Sequence, residues 1–331
     1  MSILSLFAPN LLAHFAQQAS STEGRLPALE LLLARAERQA QPLASTEATL
    51  CRCFDLPTAP VAALSALHDL DEPTAYYWLR ADPVHLRADQ QRLRLFDASL
   101  FEISQFEAET LAATLSDFYL EEGLRFIAAT PTRWYLGLPD LPDLHTSPLS
   151  AVRGHDIHDF MPQGTQARLW RTRLNEIQML LHPHPINAAR EQQILPPINS
   201  LWFWGEGILP AAPAVRWQQV WGGDALAAGL AQHTGATWQA AIPVDAQTLL
   251  SQIAPRSTAL CLLPSPLPQA AVFERDWLLP LITALKQGKL SSLLLCLDQN
   301  TCYQLDLAAL RRWWRRPQPW QASLAQWLTV E

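Results

Sequence analysis

Apolar residues are distributed along this chain in two textures. Near the start, Ile3–Phe7 is a short apolar run that reads as a buried strand. Pro27 followed by ALELLLARAERQ reads as a helix that opens at the proline and lays its leucines on one face. Residues 40 to 75 are rich in Pro, Ala and Thr and read as irregular connections with short helices. From Tyr76 the alternation in YYWLRA and in Arg92-Leu93-Arg94-Leu95-Phe96 predicts half-buried strands. Ser104, three residues before Glu107 and ahead of the stripe Leu111, Leu115 and Phe118, is a capping box opening an amphipathic helix. LRFIAAT and RWYLGL predict two strands joined through Pro131, and Trp170, Leu174, Ile177 and Leu181 mark one face of a helix over about 166–181.

Beyond residue 198 the texture changes again. LWFWG, TALCLLP and LLLCLD are short apolar runs, separated by helix-like segments at Asp224–Thr234 and Trp277–Gln287. That alternation predicts a parallel sheet buried on both faces, to which the N-terminal strand and helix belong. The expected layout is an α/β domain formed by residues 1–75 and 199–331, interrupted by an α+β domain over 76–198. No internal repeat is evident.

Composition narrows the class. A chain of 331 residues with 49% hydrophobic and 17% charged positions can bury a sizeable core, which excludes a disordered protein. The net charge of -7 argues against a general nucleic-acid binder. The five cysteines, Cys51, Cys53, Cys261, Cys296 and Cys302, show neither a disulfide framework nor zinc spacing, which fits a reducing cytoplasm. The apolar N-terminus lacks a basic leader and a cleavage site, and no run nears the roughly 18 apolar residues of a membrane span. Neither nucleic acid nor a membrane is expected as partner.

One segment carries a resemblance. Leu181–Gly207, LHPHPINAAREQQILPPINSLWFWGEG, resembles a stretch of the archaeal-type cofactor-independent phosphoglycerate mutases of the alkaline-phosphatase superfamily. In those proteins a His-Pro-Val-Asn segment and an Arg precede Pro-Pro-x-Asn and a strand ending in Gly-x-Gly. It resembles more closely still a bacterial group, the RpfE-type regulatory proteins. Leu26 to Ala36 is similar to the family's first helix. Ala81 to Asp89, ADPVHLRAD, is similar to the strand whose Arg faces substrate, which would be Arg87. His155 to His158 is similar to an Asp-x-Asp-Pro-His element, and Gly222 to Ala236 to the helix that follows the clearest match. The resemblance implies an alkaline-phosphatase-like sheet domain with an inserted α+β domain.

It also implies a chemistry: two divalent metals such as manganese, held by Asp and His, and a Ser or Thr nucleophile. Two metals serve because negative charge develops on both attacking and leaving oxygens. The residues for this are missing. SILSLFAPNLL contains no Asp, PSPLPQAAVFERD contains no His, and LLLCLDQN supplies Asp298 followed by Gln299 where the family has Asp-His. Ser45 and Thr46 lie in the region of the nucleophile without being identified as one. The expectation is therefore a catalytically degenerate relative with no catalytic residue and no cofactor, acting in binding or regulation. Two alternatives stand beside it: a metal-dependent mutase or phosphatase using two ions such as manganese, and a protein-interaction scaffold.

Candidate ligand-binding residues are Arg87, Arg153, His158, Asn187 and Arg190. Arginine forks suit the oxyanions of a small phosphorylated or carboxylated metabolite. Against this, Arg87 can pair with a neighbouring Asp, while Asn187 and Arg190 can brace the helix–loop turn. His155, Asp156, His158 and Asp298 are weak metal candidates. His182 and His184 alternate with prolines and are expected to shape a turn. Arg311-Arg312-Trp313-Trp314-Arg315-Arg316 can grip nucleic acid or an acidic protein partner, but a helix burying its tryptophans while the arginines reach outward is the favoured reading. Gly222-Gly223-Asp224 lacks the ending of a phosphate loop and is expected to be a helix cap.

Overall fold

A computed structural model describes residues 1–18, 24–42, 44–71, 73, 76–89, 92–264 and 266–324. The chain divides into two compact units, Met1–Leu56 with Ala212–Glu331, and Pro57–Ala211.

The first unit is built on a seven-stranded sheet. Its strands are β1 (Ser2–Phe7), β2 (Glu37–Ala40), β8 (Gln219–Trp221), β9 (Thr237–Gln239), β10 (Thr258–Leu262), β11 (Leu290–Cys296) and β12 (Thr301–Asp306). Their order is β2-β12-β11-β1-β10-β8-β9. The five strands from β11 to β9 run parallel, while β12 is antiparallel to both β11 and β2. Leu4, Leu6, Cys261, Leu293 and Leu295 are buried, as central parallel strands require when both faces are covered. The helix Pro27–Arg35 begins at its proline, as expected. Glu274 completes that start by accepting from the amides of Ala28 at 2.7 Å and Leu29 at 2.8 Å, donors the helix itself cannot satisfy.

The second unit holds β3 (Tyr77–Asp89), β4 (Arg92–Asp97), β5 (Arg125–Thr130), β6 (Arg133–Leu138) and β7 (Ser200–Trp204) in an antiparallel sheet. The capping box forms in full at the helix Gln105–Phe118, where Leu111 and Leu115 are buried but Phe118 is not. The helix Ala167–Leu181 buries Trp170, Leu174, Ile177 and Leu181, the face read from the sequence. Inside the sheet Asp82 takes hydrogen bonds from Arg80 at 2.7 Å and Trp204 at 2.8 Å, so that this buried charge is paired.

Three expectations change. LWFWG, expected in the parallel sheet, is β7 and pairs antiparallel with β3, Phe203 opposite Ala81. All five of its residues are buried, and a run buried on both faces reads the same in either sheet. Cys296 and Cys302 form a disulfide, because the hairpin β11–β12 sets them directly opposite with Cα atoms 4.4 Å apart. Spacing alone did not indicate this, since register decides it. Finally, residues 311–316 form a turn, not a helix, and Trp313 and Trp314 are 77% and 63% exposed. No helix of the described residues is long and apolar enough to cross a membrane.

Candidate functional site

A cavity of about 590 Å³ opens at the carboxyl ends of the parallel strands in the first unit. This edge of an open α/β sheet is where ligands usually bind, because the loops leaving the strands diverge there. Phe7, Ala8 and Asn10 leave β1, Leu262 and Leu263 leave β10, and Gly223 and Asp224 leave β8. Thr46 and Glu47 add the first turn of the helix Thr46–Cys53, whose N-cap is Ser45, accepting from the Ala48 amide. Ser45 therefore serves as a cap, while Thr46 lines the cavity.

Backbone requirements shape the opposite wall. Gly222 and Gly223 both have positive φ, near 77° and 79°. A Cβ on Gly222 would fall 2.6 Å from the Leu262 carbonyl oxygen, and one on Gly223 would fall 2.5 Å from the Ala227 Cβ. Only glycine fits this close turn from strand into helix. Asp224 then caps the helix Ala225–Thr234 through the Leu226 amide at 2.9 Å, as the sequence indicated.

The donor set does not fit a pair of metal ions. Asn10 stands after β1, where the resemblance calls for an acid. Asp298, after β11, is buried and accepts from the Asn300 amide at 2.9 Å and the Tyr303 hydroxyl at 3.2 Å. Burial pushes its carboxyl above the usual range despite those bonds. Gln299, in the place of the expected histidine, hydrogen-bonds Asn10. Glu47 and Asp224 are the carboxylates lining the cavity, and Asp224 is already used as a cap. Among the described residues no group of three or more His, Cys, Asp or Glu side chains gathers as a metal site.

The candidates in the second unit fall into two sets. Asn187 and Arg190 are buried braces. The Asn187 amide donates to the carbonyls of Leu181 and Ile198 and accepts from the Ile198 amide, closing the Pro-rich loop. Arg190 reaches the Pro196 and Glu102 carbonyls and the Glu107 carboxylate at 2.9 Å. His184 caps the helix Pro185–Gln192, accepting from Ile186 through Nδ1, which matches the expected turn role, and burial depresses its pKa.

Arg87, Arg153 and His158 lie instead at the surface around β4. Arg87 stacks over Phe96, 4.9 Å from the ring centre, and has no ion pair with an Asp among the described residues. Arg153 pairs with Asp97. His158 bonds Asp156 through Nδ1 at 2.8 Å, and this bond holds the Asp156 carboxyl below its ordinary range. His155 contributes backbone, its carbonyl accepting from Leu95. Of the weak metal candidates, His155, Asp156 and His158 thus cluster in sequence around β4, whereas Asp298 belongs to the other unit.

Sequence reasoning passed over Arg94. It stands directly opposite Arg87 in the β3–β4 ladder, so both guanidinium groups project from one face. The alternation of Arg92, Leu93 and Arg94 hinted at the face but could not supply the register. Asn10 and Glu47 were also missed as cavity residues, for no local pattern marks them.

No family model matches the chain. It is 28% identical over 172 residues to a 2,3-bisphosphoglycerate-independent phosphoglycerate mutase of Methanosarcina mazei, covering 46% of this chain and 43% of the relative. It is 28% identical over 137 residues to the same enzyme of Methanosarcina acetivorans, covering 40% of this chain and 34% of the relative. The match thus spans less than half the length of these relatives. Among solved structures, the PH0037 protein from Pyrococcus horikoshii superposes with a TM-score of 0.54 at 14% identity, covering 91% of this chain and 86% of that one. That likeness shows a shared fold, and the sequence relatives are phosphoglycerate mutases.

Proposed function

We propose that this chain is a phosphoglycerate-mutase-like protein that has lost the dinuclear metal chemistry of its relatives and acts by binding, in a regulatory role. The observation that carries this reading is the amide pair Asn10–Gln299 at the ends of β1 and β11. Amides are neutral and cannot supply the anionic donors that two divalent cations require.

The ligand we assign is a small phosphorylated or carboxylated metabolite, and the support for it lies on the second unit. Arg87 and Arg94 face each other across the ladder. Like charges directly opposite are destabilising in an antiparallel pair. The Asp89 carboxylate is 3.9 Å from Arg94 and exposed. An oxyanion bridging the two forks would relieve the repulsion with bidentate bonds.

Metal analysis of the purified protein, with mutase and phosphatase assays in added manganese, tests the loss of catalysis. Neither bound metal nor turnover is expected; stoichiometric metal with robust turnover overturns the reading. Thermal stabilisation by 3-phosphoglycerate that disappears in Arg87→Ala tests the ligand assignment, since a ligand held only by the folded form raises its stability.

A further inference from the structure

The turn at 311–316 and the outer face of the helix Gln105–Phe118 are opposite in charge and alike in exposing large apolar side chains. In the turn, Trp313 and Trp314 stand 77% and 63% exposed, their ring centres 6.1 Å apart and nearly perpendicular. Exposure on this scale is unusual for tryptophan, which contributes more buried area than any other side chain. The turn is also anchored. Arg312 donates to the Arg35 carbonyl at 3.2 Å and lies 3.7 Å from Glu37, and Arg315 donates to the Ala36 carbonyl. These two arginines fix the turn against the first unit. Arg311 and Arg316 remain exposed on either side of the indoles, with no ion pair among the described residues.

The helix Gln105–Phe118 presents the counterpart. Its buried side is Ala108, Leu111, Ala112 and Leu115. Positions 106, 109, 113, 117 and 120 follow helical spacing along the outer side, about 20 Å end to end. They carry Phe106, 71% exposed, then Glu109, Ala113 and Asp117, and just past the helix Leu120, 74% exposed. Two large apolar groups flank two carboxylates there, as two arginines flank two indoles in the turn.

We propose that a second copy of this chain is the partner of each surface, the turn of one copy docking on this helix of the other. The fit is both electrostatic and apolar. Arg311 and Arg316 meet Glu109 and Asp117 while the indoles cover Phe106 or Leu120, the aromatic and arginine anchors that dominate protein interfaces. One such contact is small for a stable interface, so the association is expected to be weak. Nucleic acid fits less well. Three of the four arginines are exposed, a short cluster and not a track along phosphates, and the perpendicular indoles offer no run of parallel stacking faces.

Sedimentation velocity of the full chain, from micromolar to roughly a hundred micromolar and at low and high salt, tests this. Self-association weakened by salt is expected. The pair R311E/R316E and the pair E109R/D117R should each weaken it about tenfold or more. An equimolar mixture of the two variants should associate again, because reversed charges then face each other. Unchanged melting temperatures confirm that the exposed substitutions leave folding intact. A wild-type chain monomeric throughout overturns the proposal, as does association that ignores both reversals or a mixture that fails to recover. Binding of the turn to a thymidine oligonucleotide or to anionic vesicles, without self-association, assigns it to another partner and also overturns it. None of these outcomes bears on metal binding or turnover, so the proposed function stands or falls separately.

Discussion

Gln299 donates through Nε2 to Oδ1 of Asn10 at 3.1 Å, an amide-to-amide bond between the loops that leave the adjacent parallel strands β1 and β11. It occupies the ground where the resemblance requires an Asp and a His. Both side chains are neutral, so this pair brings no negative charge to the point.

The first prediction concerns metals. Adding EDTA or manganese should shift the melting temperature by less than about a degree, because a metal stabilises only through sites that the folded form offers. Asn10→Ala should cost about 1 kcal/mol by removing the acceptor of Gln299. Differential scanning fluorimetry checks both, and a marked fall of the melting temperature in EDTA contradicts the first.

Asn187 should prove structural. Its three bonds to the backbone of Leu181 and Ile198 are buried, so Asn187→Ala leaves the Ile198 carbonyl and amide without partners and the Leu181 carbonyl with the His184 amide alone. The expected loss is about 2–4 kcal/mol in urea unfolding. Arg190→Met should behave similarly, as it removes the Arg190 bonds to one Glu107 carboxylate oxygen and to the Pro196 and Glu102 carbonyls. A ligand residue on the surface would cost almost nothing.

Acid should weaken the second unit through Asp69. Burial pushes this carboxyl up, but the Arg133 and Tyr135 hydrogen bonds outweigh it, and the folded pKa lies below the ordinary value. A depressed carboxylate contributes stability that is present above its unfolded pKa, about 3.9, and is lost as pH falls through the folded value. Urea midpoints should therefore drop below about pH 4, less steeply in Asp69→Asn, which no longer titrates there. Equal slopes in both proteins rule out this carboxyl as a source.

Reduction should loosen the first unit. The Cys296–Cys302 bridge closes a short loop, and the chain-entropy relation gives about 2 kcal/mol for it. Dithiothreitol should lower the urea midpoint of the wild type, and C296S/C302S should sit at the lowered value whether reductant is present or not. Sensitivity to reductant surviving in that variant would place the effect elsewhere.

What could be read directly from the sequence was local. Ser104 with Glu107, Pro27 at a helix start, Asp224 after two glycines, and the four-residue stripe from Trp170 to Leu181 each depend on neighbours a few positions away. Their outcome is set by backbone amides within one helical turn. Ser200–Trp204 was assigned to the wrong sheet for the opposite reason. Apolar at every position, it carries no alternation to say which neighbours it meets, and the partner β3 lies more than a hundred residues upstream.

The sequence by itself settled the deficit of acids and histidines at the strand ends, since absent side chains cannot be supplied by folding. It also settled the helix starts at Pro27, Ser104 and Asp224. Only the tertiary structure decided that Cys296 meets Cys302, that Arg87 faces Arg94, and that Trp313 and Trp314 stay in solvent. Register and burial are properties of which distant surfaces cover one another. A run such as Arg-Arg-Trp-Trp-Arg-Arg has the same periodicity whether its indoles are covered or bare.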